Sequence, residues 1–222
     1  MIRNSPSRHI DLSHSIVDGM STYPPLPGPV IATHLSREDA EKVYGPGVTF
    51  QIGMITICTN TGTYLDVPFH RFADGHDLVE LSLDRVAGVP AVCFDRRGET
   101  EIEIPSEELD GLQGHAVLVR TDHSRYFGTE AYTVGHPYLS VATTEALITA
   151  DVACVGIDSL NIDGMSDTLR PVHTALLGAG IPIIEHLTNL AELPSSGFAF
   201  TAVPPKIEGA GTFTVRAYAT VG

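Results

Sequence analysis

The sequence predicts a strand-rich α/β fold carried by a single domain over residues 1–222. Three observations carry that prediction. Short β-rich runs, most of them five to eight residues long and separated by Gly, Pro or Asp, recur along the whole chain, whereas convincing helix signals occur at only two places. Runs such as VACVGI and IPII are continuously apolar, as in strands covered on both faces by other elements. The 21 glycines and 15 prolines supply the many tight turns such a chain needs, and no Ser/Gly linker or charge block divides it.

In chain order, HIDLS (9–13) reads as the first strand. The segment 18–29, DGMSTYPPLPGP, reads as a proline-stiffened surface loop. Strands follow at PVIATHL (29–35) and VTFQIGMITIC (48–58), and a weaker helix is predicted through LVELSLDRVAG (78–88). VPAVCFD (89–95) and HAVLVRT (115–121) are again strand-like. Ser140 caps the predicted helix VATTEALITA (141–150), and Pro171 opens a second, PVHTALL, that ends at Gly178 and Gly180. Between and after them lie DVACVGID (151–158), IPIIEHL (181–187), GFAFTAV (197–203) and TFTVRAYA (212–219).

Charge excludes several functions. With 13 Lys+Arg against 27 Asp+Glu the formal net charge is −14, and no basic cluster offsets it locally, so neither nucleic acid nor an anionic membrane surface is an expected partner. No run approaches the ~18 apolar residues of a membrane span, and the N-terminus lacks the apolar stretch of a signal peptide. A cytoplasmic protein is expected. Cys58, Cys93 and Cys154 are odd in number and widely spaced, and each sits in an apolar run, so they read as reduced core residues. GxGxxG after a strand, GxxxxGK[ST], GxSxG and HExxH are all absent.

The stretch Asn60-Thr61-Gly62-Thr63-Tyr64-Leu65-Asp66-Val67-Pro68-Phe69-His70 carries the densest chemistry. Pro68 argues against helix, so a period of two applies: Asn60, Tyr64, Asp66 and His70 share one face, while Leu65, Val67 and Phe69 anchor the other. A hundred residues later His173 falls in the first turns of the helix beginning at Pro171, and Glu185 lies inside an apolar strand, where a carboxylate needs a partner. The acidic string Asp158, Asp163, Asp167 lacks EF-hand spacing and reads as loop turns and a helix cap. His186 has the parity opposite to Glu185 and is expected to point away from the site. The remaining histidines read as surface or hydrogen-bonded core groups.

The stretch from Asn60 to His70 resembles, without a gap, the signature HxGTHxDxPxH of the cyclase family, which includes bacterial kynurenine formamidases, isatin hydrolases and related metal-dependent hydrolases. The resemblance extends to DLS at Asp11–Ser13, Tyr23-Pro24, LVRTD, GHPYLS, VGID, the long run from Arg170 to Leu190, and VRAYA. It implies a mixed, barrel-like sheet flanked by helices, a small-molecule substrate, and assembly as a homodimer or homotetramer. It further implies Asp66, His173 and Glu185 as metal ligands, His70 as the acid/base and Tyr23 as a substrate contact.

The family's two leading histidines are replaced here by Asn60 and Tyr64. A carboxamide is a weak ligand, and a phenol must lose its proton to compete. The family's first metal site is therefore expected to be lost, leaving at most one divalent ion, zinc or manganese, or a metal-free site in which Asp66 and Glu185 share a proton beside His70. Asn60 then becomes a substrate contact and Tyr64 a hydrogen-bond donor to substrate. The expected activity is hydrolysis of a small amide, ester or lactone. A metal-independent cyclisation or dehydration, as in polyketide cyclases, and a ligand-binding role without catalysis are the alternatives.

Overall fold

The computed structural model describes residues 7–222. Strand β1 (Arg8–Asp11) opens it, and a ribbon of β2 (Val30–Leu35) and β3 (Ile52–Thr56) follows with helix α1 (Arg37–Tyr44) between its arms. Next come β4 (Tyr64–Asp66), β5 (Val89–Asp95), the short β6 (Glu101–Ile102), β7 (Ala116–Arg120) and the short β8 (Tyr138–Leu139). Helix α2 (Val141–Thr149) leads into β9 (Cys154–Ile157), and α3 (Pro171–Gly178) into β10 (Ile183–Glu185). The chain closes on β11 (Ser196–Thr201), β12 (Thr212–Thr214) and β13 (Tyr218–Val221).

Nine strands form one mixed, strongly curled sheet in the order β1-β13-β11-β5-β7-β9-β10-β4-β12. Its centre, β5-β7-β9-β10, is parallel, and both flanks are antiparallel. The curl follows from one short connection. In a flat sheet β12 and β13 would stand seven strand spacings apart, roughly 34 Å at about 4.8 Å each. Only residues 215–217 join them, a reach of about 14 Å when fully extended. The two ends must therefore approach, and the joining residues tie them: Val215 N–H donates to Thr63 O beside β4, and Leu12 N–H, just after β1, donates to Ala217 O, both at 2.9 Å.

Alternate side chains of the central strands feed two cores. Leu65, Leu118, Ile184 and Phe200 lie in the one inside the curl, while Val117, Val119, Val155 and Ile183 pack with Leu147 of α2 and Leu176 of α3 in the other. This two-sided burial is why those strands read as unbroken apolar runs. Ser140 Oγ accepts the Thr143 N–H at 3.1 Å and caps α2, and Pro171 opens α3.

Four expectations change. The segment 78–88 forms only a 3₁₀ turn at Leu83–Arg85, because Asp77 takes the Val79 N–H at 2.8 Å into a tight turn and Gly88 is left-handed. Helix α1 carries a single buried residue, Ala40, so it has no apolar stripe to betray it. The run 212–219 is two strands near opposite ends of the sheet order, and β2 with β3 stands apart from the main sheet. Cys154 is buried, but Cys58 and Cys93 are only partly so; all three are free thiols. Among the described residues no helix is long and apolar enough to cross a membrane.

Candidate active site

Strand β4 builds the site by register. Tyr64 pairs with Glu185 of β10 and Thr214 of β12, Leu65 with Ile184 and Phe213, and Asp66 with Ile183 and Thr212. Leu65 and Ile184 face the core inside the curl, which turns Tyr64, Asp66 and Glu185 the other way, Tyr64 and Glu185 into a small cavity of about 280 Å³ lined also by Tyr23, Asn60, His70, Arg71, Asn161, Arg170 and His173. Six of the seven residues singled out in the sequence line this cavity, and the seventh, Asp66, is fully buried 3.7 Å from the rings of His70 and His173.

The stretch is not extended throughout. After Asp66 the chain turns through a 3₁₀ segment, Pro68–His70, so His70 reaches the site by a turn rather than by strand alternation. Two glycines make room for that turn. A Cβ on Gly211 would collide with His70 N, and one on Gly75 would meet the Pro68 carbonyl carbon at 2.7 Å.

Asp66 is fully buried, and its Oδ1 accepts the Thr212 hydroxyl. With the hydroxyl hydrogen so committed, His70 Nδ1, 2.8 Å from Thr212 Oγ1, must be the donor, which leaves its Nε2 with a lone pair on a ring about one-third exposed. Asp66 Oδ2 is buried with no hydrogen-bond partner and stands 3.7 Å from His173 Nε2. Burial would raise the Asp66 carboxyl, but the nearby imidazoles of His173 and His70 and the Thr212 hydroxyl hold it below its usual value.

His173 is fixed from behind. Its Nδ1 lies 2.5 Å from Asp163 Oδ2, and its Nε2 is 3.7 Å from Glu185 Oε1 as well as from Asp66. Burial alone would lower its pKa, but the charge of Glu185, the bond to Asp163 and the nearby Asp66 carboxylate raise it to about 10. Asp163 also caps α3, its Oδ1 taking the Val172 N–H at 2.7 Å, so the acidic string contains the expected cap and the orienting partner of His173.

Glu185 is bound on both oxygens: Tyr64 Oη donates to Oε2 and the Ile162 N–H to Oε1, both at 2.6 Å. Burial and the negative charge of Asp66 push it above the usual carboxyl range against the pull of His173. Tyr64, buried beside Glu185 and Asp66, is pushed well above 10 and stays protonated. Its hydrogen goes to Glu185 rather than toward the cavity.

His186 does not point away. It is fully buried, and its Nε2 is 3.2 Å from Tyr64 Oη and its Nδ1 2.9 Å from Tyr132 Oη. Strand β10 ends at Glu185 and His186 takes a left-handed φ of 56°, which breaks the alternation on which its expected direction rested. Burial lowers His186 to about 3, so it is neutral. Because the Tyr64 hydrogen is committed, Nε2–H donates to Tyr64 and Nδ1 accepts from Tyr132. Tyr132 and Thr212 have no local sequence signal and become visible only through these contacts.

A buried carboxylate oxygen without a donor, facing a buried imidazole nitrogen, fits a divalent cation. So does an imidazole whose other nitrogen is held by a carboxylate. The ligand atoms that all lie within 4.8 Å of one another belong to Asp66, His70 and His173; Glu185 is outside that set. Asn60 lines the cavity, its Oδ1 accepting the Thr59 hydroxyl at 3.1 Å, and Tyr23 Oη stands 3.4 Å from Arg170 Nη2.

Comparison with known proteins adds independent findings. A family model described as putative cyclase matches residues 10–164. The chain is 30% identical to a kynurenine formamidase of Salinibacter ruber over 210 residues, covering 94% of this chain and 95% of that one. It is 26% identical to a kynurenine formamidase of Bacillus cereus over 214 residues, 95% of this chain and 96% of the other. Among solved structures, isatin hydrolase A from Ralstonia solanacearum superposes with a TM-score of 0.81 at 24% identity, covering 97% of this chain and 92% of that one.

Proposed function

This chain belongs to the cyclase family, and on that premise we propose that it is an arylformamidase-like hydrolase that cleaves a non-peptide C–N bond of a small molecule. The observation that carries the reading is the pairing of an orphaned, buried Asp66 oxygen with His173, which lines the cavity together with His70.

Asp66 and His173 would hold one divalent cation, zinc or manganese; Glu185, outside the 4.8 Å grouping, would have to move toward them to serve as third donor, and His70 stands beside them as the proton carrier. The cation supplies Lewis-acid polarisation of the scissile carbonyl. Thr212 holds His70 by its Nδ1, so the free Nε2 takes a proton from the attacking water as the C–O bond forms. The same nitrogen returns the proton to the departing amine nitrogen as the C–N bond breaks. Asp163 keeps the His173 Nε2 turned to the cavity, and Tyr64, backed by His186, orients Glu185.

Metal analysis and a panel of N-formyl arylamines, aryl esters and lactones test this. Cleavage that depends on a bound divalent cation is the expected result. No cleavage with zinc or manganese overturns it, and full activity on a cyclisation substrate after chelation would assign the site to metal-free proton transfer.

Homo-oligomerisation is part of the same proposal. It is supported by the β2–β3 ribbon, which stands apart from the main sheet and on which the apolar Ile52, Met54 and Ile55 are 46%, 55% and 61% exposed. Light scattering on the purified chain checks it. A cytoplasmic location is supported by the three free thiols, and fractionation of the native host tests it.

A further inference from the structure

We propose that Arg170 and Arg71 form an anion-recognition pair in the catalytic cavity, so that the substrate carries a carboxylate remote from the bond that is cleaved. This rests on the hydrolase reading above and narrows it to a substrate class.

Charge distribution is the first ground. The chain has an excess of fourteen acidic groups, and seven of its described Lys and Arg side chains lie within 4.0 Å of a carboxylate. Among the described residues Arg37, Arg71, Arg125, Arg170 and Lys206 have no such partner, and residues 1–6 contain no Asp or Glu. Two of these five cations line the cavity that holds His70 and His173. In so acidic a chain, a guanidinium left without a carboxylate is available to an outside anion.

The second ground is how Arg170 is held. Its Nη1 donates to Asn161 Oδ1 at 2.6 Å and its Nη2 to Tyr23 Oη at 3.4 Å, both neutral acceptors, so the group is oriented without being neutralised. Its backbone takes the left-handed region, φ 53° and ψ 59°, which side-chain-bearing residues enter only when their surroundings impose it. Arg71 is braced in the same way, its Nε donating to Thr174 Oγ1 at 3.0 Å. At about 280 Å³ the cavity suits a single ring or short acyl group with one charged substituent. His70 lines the same cavity, so a carboxylate held by the two arginines leaves the rest of the substrate to reach it.

The test compares formanilide with the 2-, 3- and 4-(formylamino)benzoates, each of which takes up water and yields formate and the free arylamine. The expected result is that kcat/KM for the best benzoate exceeds that for formanilide at least tenfold. Arg170→Gln should lower that ratio roughly 10–100-fold, mainly through KM, as for the loss of hydrogen bonds to a charged group. Arg71→Gln should lower it as well, while Arg125→Gln, outside the cavity, should leave it unchanged. A native ratio near one, or a ratio unmoved by both cavity variants, overturns the proposal. If no formamide is cleaved at all, the hydrolase reading falls but the anion pair is still read directly, by calorimetric binding of benzoate against benzamide. Tighter binding of benzoate that Arg170→Gln abolishes at unchanged metal content supports the pair; equal binding of the two, or binding of neither, overturns it.

Discussion

One carboxylate oxygen of Asp163 stands 2.5 Å from His173 Nδ1 and 3.1 Å from the His173 N–H, so a single side chain both starts α3 and aims the imidazole. In Asp163→Asn the cap survives in part but the charge behind the ring is gone. Metal affinity is expected to fall roughly 10–100-fold, as for other partners that orient a ligand, with only a small loss of stability. Competition against a fluorescent chelator, paired with thermal unfolding, measures the two separately.

Metal content also separates the donors. Asp66→Asn and Glu185→Gln should each abolish stoichiometric binding, whereas His70→Ala should retain the ion and lose about 10²–10⁴-fold in kcat, the usual contribution of an acid/base group. Retention in Glu185→Gln with loss in His70→Ala would make His70 the third ligand, in line with the 4.8 Å grouping of Asp66, His70 and His173. Elemental analysis of the purified variants decides this.

Gly211→Ala places a methyl group against the His70 backbone, so the turn carrying the ring must shift. A displacement near 1 Å lowers turnover by about 10²-fold. The expected signature is a fall in kcat larger than the loss of stability explains, read by steady-state kinetics beside a denaturant titration.

Tyr64→Phe removes the donor to Glu185 and the acceptor for His186, leaving two buried polar groups unpaired. Each such group costs about 1–3 kcal/mol. Urea unfolding at pH 7 should show this loss, and Phe should be worse than its conserved volume suggests.

Acid sensitivity follows from buried neutral imidazoles. Burial lowers His14 to about 4 and His186 to about 3. The unfolded chain binds protons near pH 6.5 that the native chain refuses, so their contribution is complete above pH 6.5 and is lost as pH falls toward 4 and then 3. Asp158 acts in the opposite sense: burial raises it to about 6, so it favours the folded state as pH falls below that. The two imidazoles outweigh it, and melting temperature should fall between pH 6.5 and 4. His14 stacks on Phe127 at 3.7 Å, and its Nε2 has no partner, so His14→Phe should keep the stacking and narrow that fall.

The part of the site lying on regular strand was legible in the sequence. Alternation in Tyr64-Leu65-Asp66 correctly separates core from cavity, because flanking strands hold β4 in register on both sides. The same rule failed at His186, where a left-handed residue ends the strand, and it placed His70 in the cavity by a route the chain does not take. Thr212, Tyr132 and Arg170 enter through contacts spanning 54 to 147 residues, which no local pattern encodes. Helix α1 escaped notice because a helix with one buried residue looks like loop.

The closure of the sheet by residues 215–217 has a consequence for biosynthesis. The hydroxyl that positions both Asp66 and His70 belongs to Thr212, 146 residues after Asp66, on β12 at the edge of the sheet order. A nascent chain can assemble β5, β7 and β9 on the ribosome from the parallel centre outward, yet the reactive groups remain unorganised until the final strands emerge. A product that stops short of Thr212 therefore lacks the hydroxyl that holds Asp66 and His70 together.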